Sequence, residues 1–346
     1  MNKFIDCVSC EGKAELRSIE RRIEFKKEEF LVVEQYYKCL SCEEEFTTME
    51  TDTVTMNQVY NQYRSRHDIP FPDEIVALRK FYDLPASSMS TILGMGTNGY
   101  SSYENGEIPT VALANLIRSA FNKDVFREFL ITAKDKIPNT VFQRAMTVIK
   151  ESGDAENDET AFDNDFGQFI FCSDMDTSEY TGFRKPDISR IANLLSYAVS
   201  SCTQEHNDRL KINKLLFYID FVNYRQTARS ITGLPYRAIQ YGPAPTCYDS
   251  MIDQLKAMEV LESKWIKTGK NGGMREVFGS ESKKFFDKNM FSNEEQESID
   301  CVIKKFRNIS SWDIVEVSHK EKAWLDNKDD HKKISYQNYA FCLKAF

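Results

Sequence analysis

Apolar residues recur at helical spacing most strongly in residues 210–224, where Ile212, Leu215, Leu216, Ile219 and Val222 share one stripe and aromatics fill much of the remaining circumference. The spacing predicts a helix buried on most of its faces. A shorter stripe, Ile75, Leu78 and Phe81-Tyr82, predicts a helix opened by Phe71-Pro72-Asp73-Glu74, because proline suits a first turn and acidic side chains favour the positive end of the dipole. Short helices are predicted from Pro85-Ala86-Ser87-Ser88 to Ile92-Leu93-Gly94, over about residues 97–104, and over residues 111–120, punctuated by Gly94, Asn105-Gly106 and Pro109. Strand-like alternation appears earlier, at Ile23 and Phe25 and then Phe30-Leu31-Val32-Val33 before Tyr36-Tyr37. Later, residues 235–243 read as a short strand ending in a turn, and residues 249–261 and 294–306 as helices. Asn271-Gly272-Gly273 marks a hairpin within residues 265–278, and residues 312–325 close the pattern.

These signals divide the chain into four zones: 1–55, β-rich; 68–148, short helices; 151–182, polar and turn-rich; and 183–346, a larger mixed domain. The expected fold is mainly α with small β elements: an N-terminal ribbon-like β-hairpin, a helical middle domain and a C-terminal α+β domain. A chain of 346 residues is long enough for two or three domains, and its 41% hydrophobic and 28% charged content is that of a globular protein. No run approaches the roughly 18 apolar residues a membrane span needs, and Met1-Asn2-Lys3-Phe4 leads directly to a cysteine pair without an apolar leader, so a cytoplasmic location is expected. The net charge of −8 argues at first against nucleic acid. Residues 151–180, however, hold ten Asp and Glu and no Lys or Arg, so the acidity is local. That segment reads as a solvated tether in preference to a DNA mimic, and would let the flanking domains move independently.

Four of the nine cysteines form two Cys-x-x-Cys pairs, Cys7/Cys10 and Cys39/Cys42, while Cys172, Cys202, Cys247, Cys301 and Cys342 are scattered. Two such pairs point four thiolates at one tetrahedral ion, and a hairpin between them would return the second pair beside the first. The spacing predicts a structural Zn2+ site whose closed coordination shell leaves no position for catalysis. A thioredoxin-like use would want one pair in a βαβ setting. Two short helices joined by a glycine turn, at residues 86–104, are what a DNA-reading helix-turn-helix requires, with Thr97, Asn98, Tyr100, Ser101 and Ser102 at its reading end. Gly94-Met95-Gly96-Thr97-Asn98-Gly99 also satisfies G-x-G-x-x-G, but it follows a helix, so dinucleotide binding is rejected. Residues 68–135 carry six Lys/Arg against nine Asp/Glu, which supplies no basic footprint for phosphates, although Arg64 and Arg66 lie just upstream.

The run from Gly94 to Gly106 resembles the recognition-helix signature of Xre/Cro-type repressors, and residues 1–130 resemble MqsA-type antitoxins, which place a four-cysteine zinc domain before such a helix-turn-helix. In that family an Asn and an Arg four residues later read the operator. Asn98 matches the first, whereas the second position is Ser102. Within residues 187–335, Lys214-Leu215-Leu216-Phe217-Tyr218-Ile219-Asp220, Tyr241-Gly242-Pro243 and Ser318-His319-Lys320-Glu321-Lys322-Ala323-Trp324 resemble the K-L-L-x-Y-x-D, Y-G-P and S-H-x-E-x-A-W marks of the Panacea, or SocA-like, antitoxin domain. The resemblance implies a domain that binds a toxin encoded beside it, with Tyr218, Tyr241, Gly242, Pro243, His319, Lys320 and Trp324 as the expected contacts. Large aromatics serve both cores and hot spots, so Tyr218, Tyr241 and Trp324 are open to either use.

The whole is therefore read as an antitoxin of a toxin–antitoxin pair and not an enzyme. Its expected partners are a cognate toxin, operator DNA and a second copy of itself, with no membrane. Cys247 and His319 as nucleophile and base lack any local signature. The alternatives are a transcription regulator with a ligand- or partner-sensing C-terminal domain, or an adaptor that delivers the toxin to a protease.

Overall fold

The computed structural model describes residues 3–154, 177–268, 273–279 and 286–346. It confirms a mixed fold, with a small antiparallel sheet at the N-terminus, a helical middle and a C-terminal α/β region. Cα proximity divides the chain into two units, Met1–Val59 with Gly167–Phe346, and Tyr60–Phe166. The N-terminal ribbon and the C-terminal region thus fall within one unit, whereas the sequence suggests separate zones.

In the first unit β1 (Phe4–Asp6), β2 (Lys13–Phe25), β3 (Glu28–Cys39) and β4 (Glu45–Phe46) form an antiparallel sheet in chain order. β2 and β3 pair without interruption from Ala14↔Cys39 to Phe25↔Glu28. The turn between them is Lys26-Lys27, both left-handed at φ 50° and 67°. Two consecutive positive φ values are those of a type I′ hairpin, which suits the strand twist but usually selects Asn-Gly. Next, α1 (Met49–Arg66) is a helix the hydrophobic pattern does not announce. Its buried face includes Thr51, Thr55, Gln58, Asn61 and Arg64, polar residues that blur the stripe. Those groups are hydrogen-bonded: Thr55 Oγ1 donates to the Thr51 carbonyl at 2.9 Å, and Gln58 pairs with both backbone groups of Val33.

The second unit continues with α2 (Pro72–Phe81), α3 (Ala86–Ile92), α4 (Gly99–Glu104), α5 (Val111–Ser119), α6 (Lys123–Thr132) and α7 (Asn139–Asp154). Pro72 occupies the first turn of α2, and the Phe71 N–H donates to the Glu74 carboxylate at 2.8 Å. Ile75, Leu78, Tyr82, Met89, Tyr100, Ile117, Phe126 and Leu130 form the shared core.

The remainder of the first unit opens with a turn that reaches into the expected 151–182 tether. Ser178 N–H donates to Thr181 Oγ1 at 3.0 Å, Thr181 is buried, and the Gly182 carbonyl accepts from Ser230 N–H at 3.0 Å. The rest of that tether, at 155–176, lies outside the described residues. α8 (Ile188–Ser201) starts at Asp187, whose carboxylate accepts from the Ser189 and Arg190 N–H groups. α9 (Arg209–Thr227) is the central helix, buried without a break from Lys211 to Tyr224 and packed on later elements. β5 (Tyr236–Ile239) and β6 (Gly242–Pro245) form a hairpin, so Gly242-Pro243 opens a strand and does not end one. α10 (Tyr248–Ala257) is followed by β7 (Glu262–Thr268) and β8 (Gly273–Gly279), a hairpin whose tip at residues 269–272 is outside the described residues. α11 (Asn293–Phe306), α12 (Ser311–Ser318), α13 (Lys322–Leu325), β9 (Lys333–Ile334) and α14 (Tyr336–Tyr339) complete the unit, with β9 added to β5. Among the described residues, no helix is long and apolar enough to cross a membrane.

Candidate functional site

The four N-terminal cysteines meet because β2 and β3 return Cys39 beside Ala14, next to the turn that follows β1. The two turns are built alike. Cys7 N–H donates to the Gly12 carbonyl at 2.7 Å and Cys39 N–H to the Glu44 carbonyl at 2.9 Å. Ser9 N–H points at Cys7 Sγ (3.4 Å) and Ser41 N–H at Cys39 Sγ (3.3 Å). All four Sγ atoms lie within 4.8 Å of one another, with Cys7–Cys42 at 3.7 Å and Cys10–Cys39 at 3.6 Å. A disulfide would need about 2.05 Å, whereas the edge of a tetrahedron with metal–sulfur bonds of about 2.3 Å is about 3.8 Å. The donor set therefore fits a thiophilic metal ion. Backbone N–H groups of Cys42 and Ser41 hold the Cys39 thiol below its ordinary range, favouring the charge that a metal ligand needs.

In the second unit the turn between α3 and α4 is held from inside. Gly94 takes φ +66°, the Ser90 hydroxyl accepts from Tyr100 N–H at 3.1 Å, and Tyr100 OH donates to the Ile75 carbonyl at 2.7 Å. Tyr100 is fully buried and so packs the core instead of facing outward. Thr97 and Asn98 are exposed but precede α4, which begins two residues later than the sequence suggests, and Ser101 and Ser102 are half-buried on its first turn. Arg64 is buried with its guanidinium donating to the Gly106 carbonyl at 2.6 Å, and Arg79 pairs with Glu104 at 2.6 Å. Both guanidiniums thus fasten the C-terminal end of α4 to neighbouring elements.

The third set lies around the β5–β6 hairpin, where three separated motifs converge. Lys214 on α9 is buried and donates to the Pro243 carbonyl at 2.8 Å. Gly242 takes φ +93°, and a Cβ there would lie 2.3 Å from Ser318 Oγ and 2.7 Å from Lys214 Cε, so no side chain fits. Trp324 Nε1 donates to the Ile239 carbonyl at 2.8 Å, and His319 stacks on the Trp324 ring with centroids 4.0 Å apart. Tyr218 OH donates to Glu321 at 3.2 Å, and the same carboxylate accepts from the Lys344 and Ala345 N–H groups at 2.8 and 3.0 Å. Asp220 accepts from Ile231 N–H and Thr232 N–H at 2.8 Å each, from Tyr236 OH at 2.7 Å and from the Thr232 hydroxyl.

Tyr218, Gly242 and Pro243 are therefore interior to this cluster, His319 and Trp324 are half-buried on its flank, and Tyr241 and Lys320 are exposed. Two residues of weight were missed. Glu321 sits inside a quoted motif, but acidic side chains in helix-rich segments usually face solvent. Trp312, 58% exposed and edge-on to Tyr241 at 5.9 Å, carries no motif at all. Cys247, the candidate nucleophile, precedes α10 as its cap residue, and His319 caps α12.

Burial lowers the Lys214 amine to about 7 from its ordinary 10.5. A depressed lysine means the folded state binds fewer protons than the unfolded chain between those values, so its contribution to stability rises with pH across that window and is lost as pH falls through 7. Chemical denaturation from pH 7 to 10 is expected to show a positive slope that shrinks in Lys214→Met. An unchanged slope would place the ammonium in water.

Residues 212–325, from the first turn of α9 to the last residue of α13, match the family model described as the antitoxin SocA-like, Panacea domain. The match spans all three motifs of the hairpin cluster and supports an antitoxin role in general terms. No curated protein matches the chain.

Proposed function

We propose that this protein is the antitoxin of a toxin–antitoxin pair, which neutralises its toxin by direct binding through the C-terminal region and represses its own operon through α3 and α4. The observation that carries this reading is the antitoxin-domain match over residues 212–325, whose three motifs converge on one hairpin. Beside that hairpin, Tyr241 and Trp312 stand exposed as an edge-to-face pair with Lys320 on the adjoining helix end. Exposed Tyr and Trp on a rigid base make good anchors for a protein partner. In this reading the buried motif residues hold the platform and the exposed ones touch the toxin. The thiolate cluster holds Zn2+, which four cysteine ligands suit, as a purely structural ion. Asn98, exposed at the start of α4 and making no capping bond with its side chain, offers an amide for an adenine edge. A two-fold dimer would match operator half-sites.

The test is co-expression of the full chain with the product of the neighbouring gene. The natural chain should restore growth, and Tyr241→Ala with Lys320→Glu should restore much less of it at equal antitoxin level. Asn98→Ala should keep full protection while weakening operator binding about tenfold. Loss of protection only through the Asn98 variant would reverse the division of labour. A fall in toxin level on co-expression would favour the protease-adaptor reading.

A further inference from the structure

The two long strands of the ribbon are treated unequally. The outer edge of β3 is covered repeatedly: β4 pairs with Tyr37 and Lys38, the Gln58 amide bonds both backbone groups of Val33 (2.8 and 2.9 Å), and Gln337 donates to the Leu31 carbonyl. On β2, β1 covers Lys13 to Glu15, and Leu16 N–H donates to the Lys3 carbonyl at 2.9 Å. From Arg17 to Glu24 no strand covers the outer edge among the described residues. Backbone groups alternate in direction along a strand, so with Leu16 pointing outward those of Ser18, Glu20, Arg22 and Glu24 point outward too. Side chains from Arg17 to Arg22 are exposed as well, including Ile19 at 46%. An open edge of this length is a template for another strand.

We propose that the occupant is β2 of a second copy of this chain, paired antiparallel about a two-fold axis at Arg21. That register sets Glu20 opposite Arg22 of the copy, and Ile19 opposite Ile23 of the copy, each twice by symmetry. Glu20 and Arg22 are outward-pointing positions and form the hydrogen-bonded pairs. Ile19 and Ile23 then fall at the non-hydrogen-bonded pairs, where side chains approach more closely. Arg21 faces its own mate, and each guanidinium is already paired to Glu34 of its own ribbon. Neighbouring registers are worse. Centring on Glu20 opposes that carboxylate to itself and Ile19 to Arg21, and centring on Arg22 opposes Glu20 to Glu24 twice. Edge charges ordinarily keep strands apart; centring on Ile23 would also match charges, Arg22 with Glu24, but β2 ends at Phe25, so the alignment on Arg21 is the complementary one that pairs the longer stretch of strand.

The dimer expected from the DNA reading is given an interface by this assignment, which rests on that reading only for the existence of a dimer. The test is sedimentation equilibrium of the full chain with Glu20→Arg, Arg22→Glu and the double variant. These positions are exposed, Arg22 also pairs with Glu29 of its own ribbon at 3.3 Å across the surface, and thermal unfolding checks that each variant folds. Each single reversal turns two opposite-charge pairs into like-charge pairs and should weaken dimerisation about tenfold, while the double variant should return to within about threefold of the natural chain. A dimer insensitive to the single reversals overturns the interface and leaves the DNA reading standing. A chain monomeric at every concentration removes both. Toxin capture abolished by either reversal in a monomeric chain would assign the edge to the toxin and overturn the self-pairing.

Discussion

Replacement of Cys39 with Ser is expected to reduce bound metal from one ion per chain to none and to unfold the ribbon. Cys39 is the most strongly prepared of the four ligands: it is buried, ends β3, and receives N–H groups from Ser41 and Cys42 at 3.3 and 3.5 Å. The apolar cluster around it is small, with Cys7, Ala14, Tyr37 and Cys39 as its buried members. A core of that size does not hold a sheet end without a further tie. Structural zinc supplies apparent free energies of about 10–16 kcal/mol in small metal-dependent folds. Metal analysis should therefore find one zinc per natural chain, and a strong chelator should remove amide protection along β2 and β3 while sparing the core of the helical unit, which contains no thiol cluster. Natural protein that keeps its ribbon protection when stripped of metal would show that hairpin pairing alone suffices.

Asp220→Ala should be the most damaging single change in the C-terminal region, costing about 3–5 kcal/mol. The carboxylate is fully buried, and its Oδ1 and Oδ2 gather two backbone N–H groups and two hydroxyls from the segment leading into β5. Alanine leaves these donors without acceptors in a dry interior. Asp220→Asn keeps one acceptor oxygen for the two N–H groups, and the Thr232 and Tyr236 hydroxyls can rotate to accept from its amide, so about 1–2 kcal/mol is expected. Urea denaturation of the three proteins measures both steps. Equal losses in Ala and Asn would mean that the charge, and not the hydrogen-bond geometry, matters. Because the segment from residue 231 to 236 leads into the hairpin that carries Tyr241, toxin protection should fall in the same order.

How much of this was legible depended on whether function and periodicity used the same residues. The convergence of the cysteine pairs was readable because two Cys-x-x-Cys turns joined by a hairpin return their thiols to one place. α2 and α9 were readable because their apolar residues recur at helical spacing. α1 was not, because its buried face is built from Thr51, Thr55, Gln58 and Asn61, whose hydrogen bonds replace apolar contact. The ribbon turn at Lys26-Lys27 carries none of the usual turn residues, so only the strands on either side announced it. In the C-terminal region the motifs located the cluster but not the duty of each residue. Tyr218 and Glu321 look like surface-capable side chains in sequence, yet they satisfy one another inside the fold. Trp312 was invisible because a lone aromatic in an amphipathic stretch looks like core.

The Gln337 amide that caps Leu31 lies 306 positions further along the chain. Synthesis runs from the N-terminus at about 5–20 residues per second, so a ribosome needs about 15–60 s after making that part of β3 to deliver its cap. β4 and Gln58 follow soon after and cover Tyr37, Lys38 and Val33, so throughout that interval it is Leu31 that stays uncapped, while all four cysteines of the cluster have already been made. The cysteine cluster is thus complete early in the life of each molecule, whereas the cap on Leu31 comes almost last. A chain released prematurely would carry the finished cysteine cluster and a β3 strand uncapped at Leu31, the kind of intermediate that chaperones or proteases are well placed to intercept.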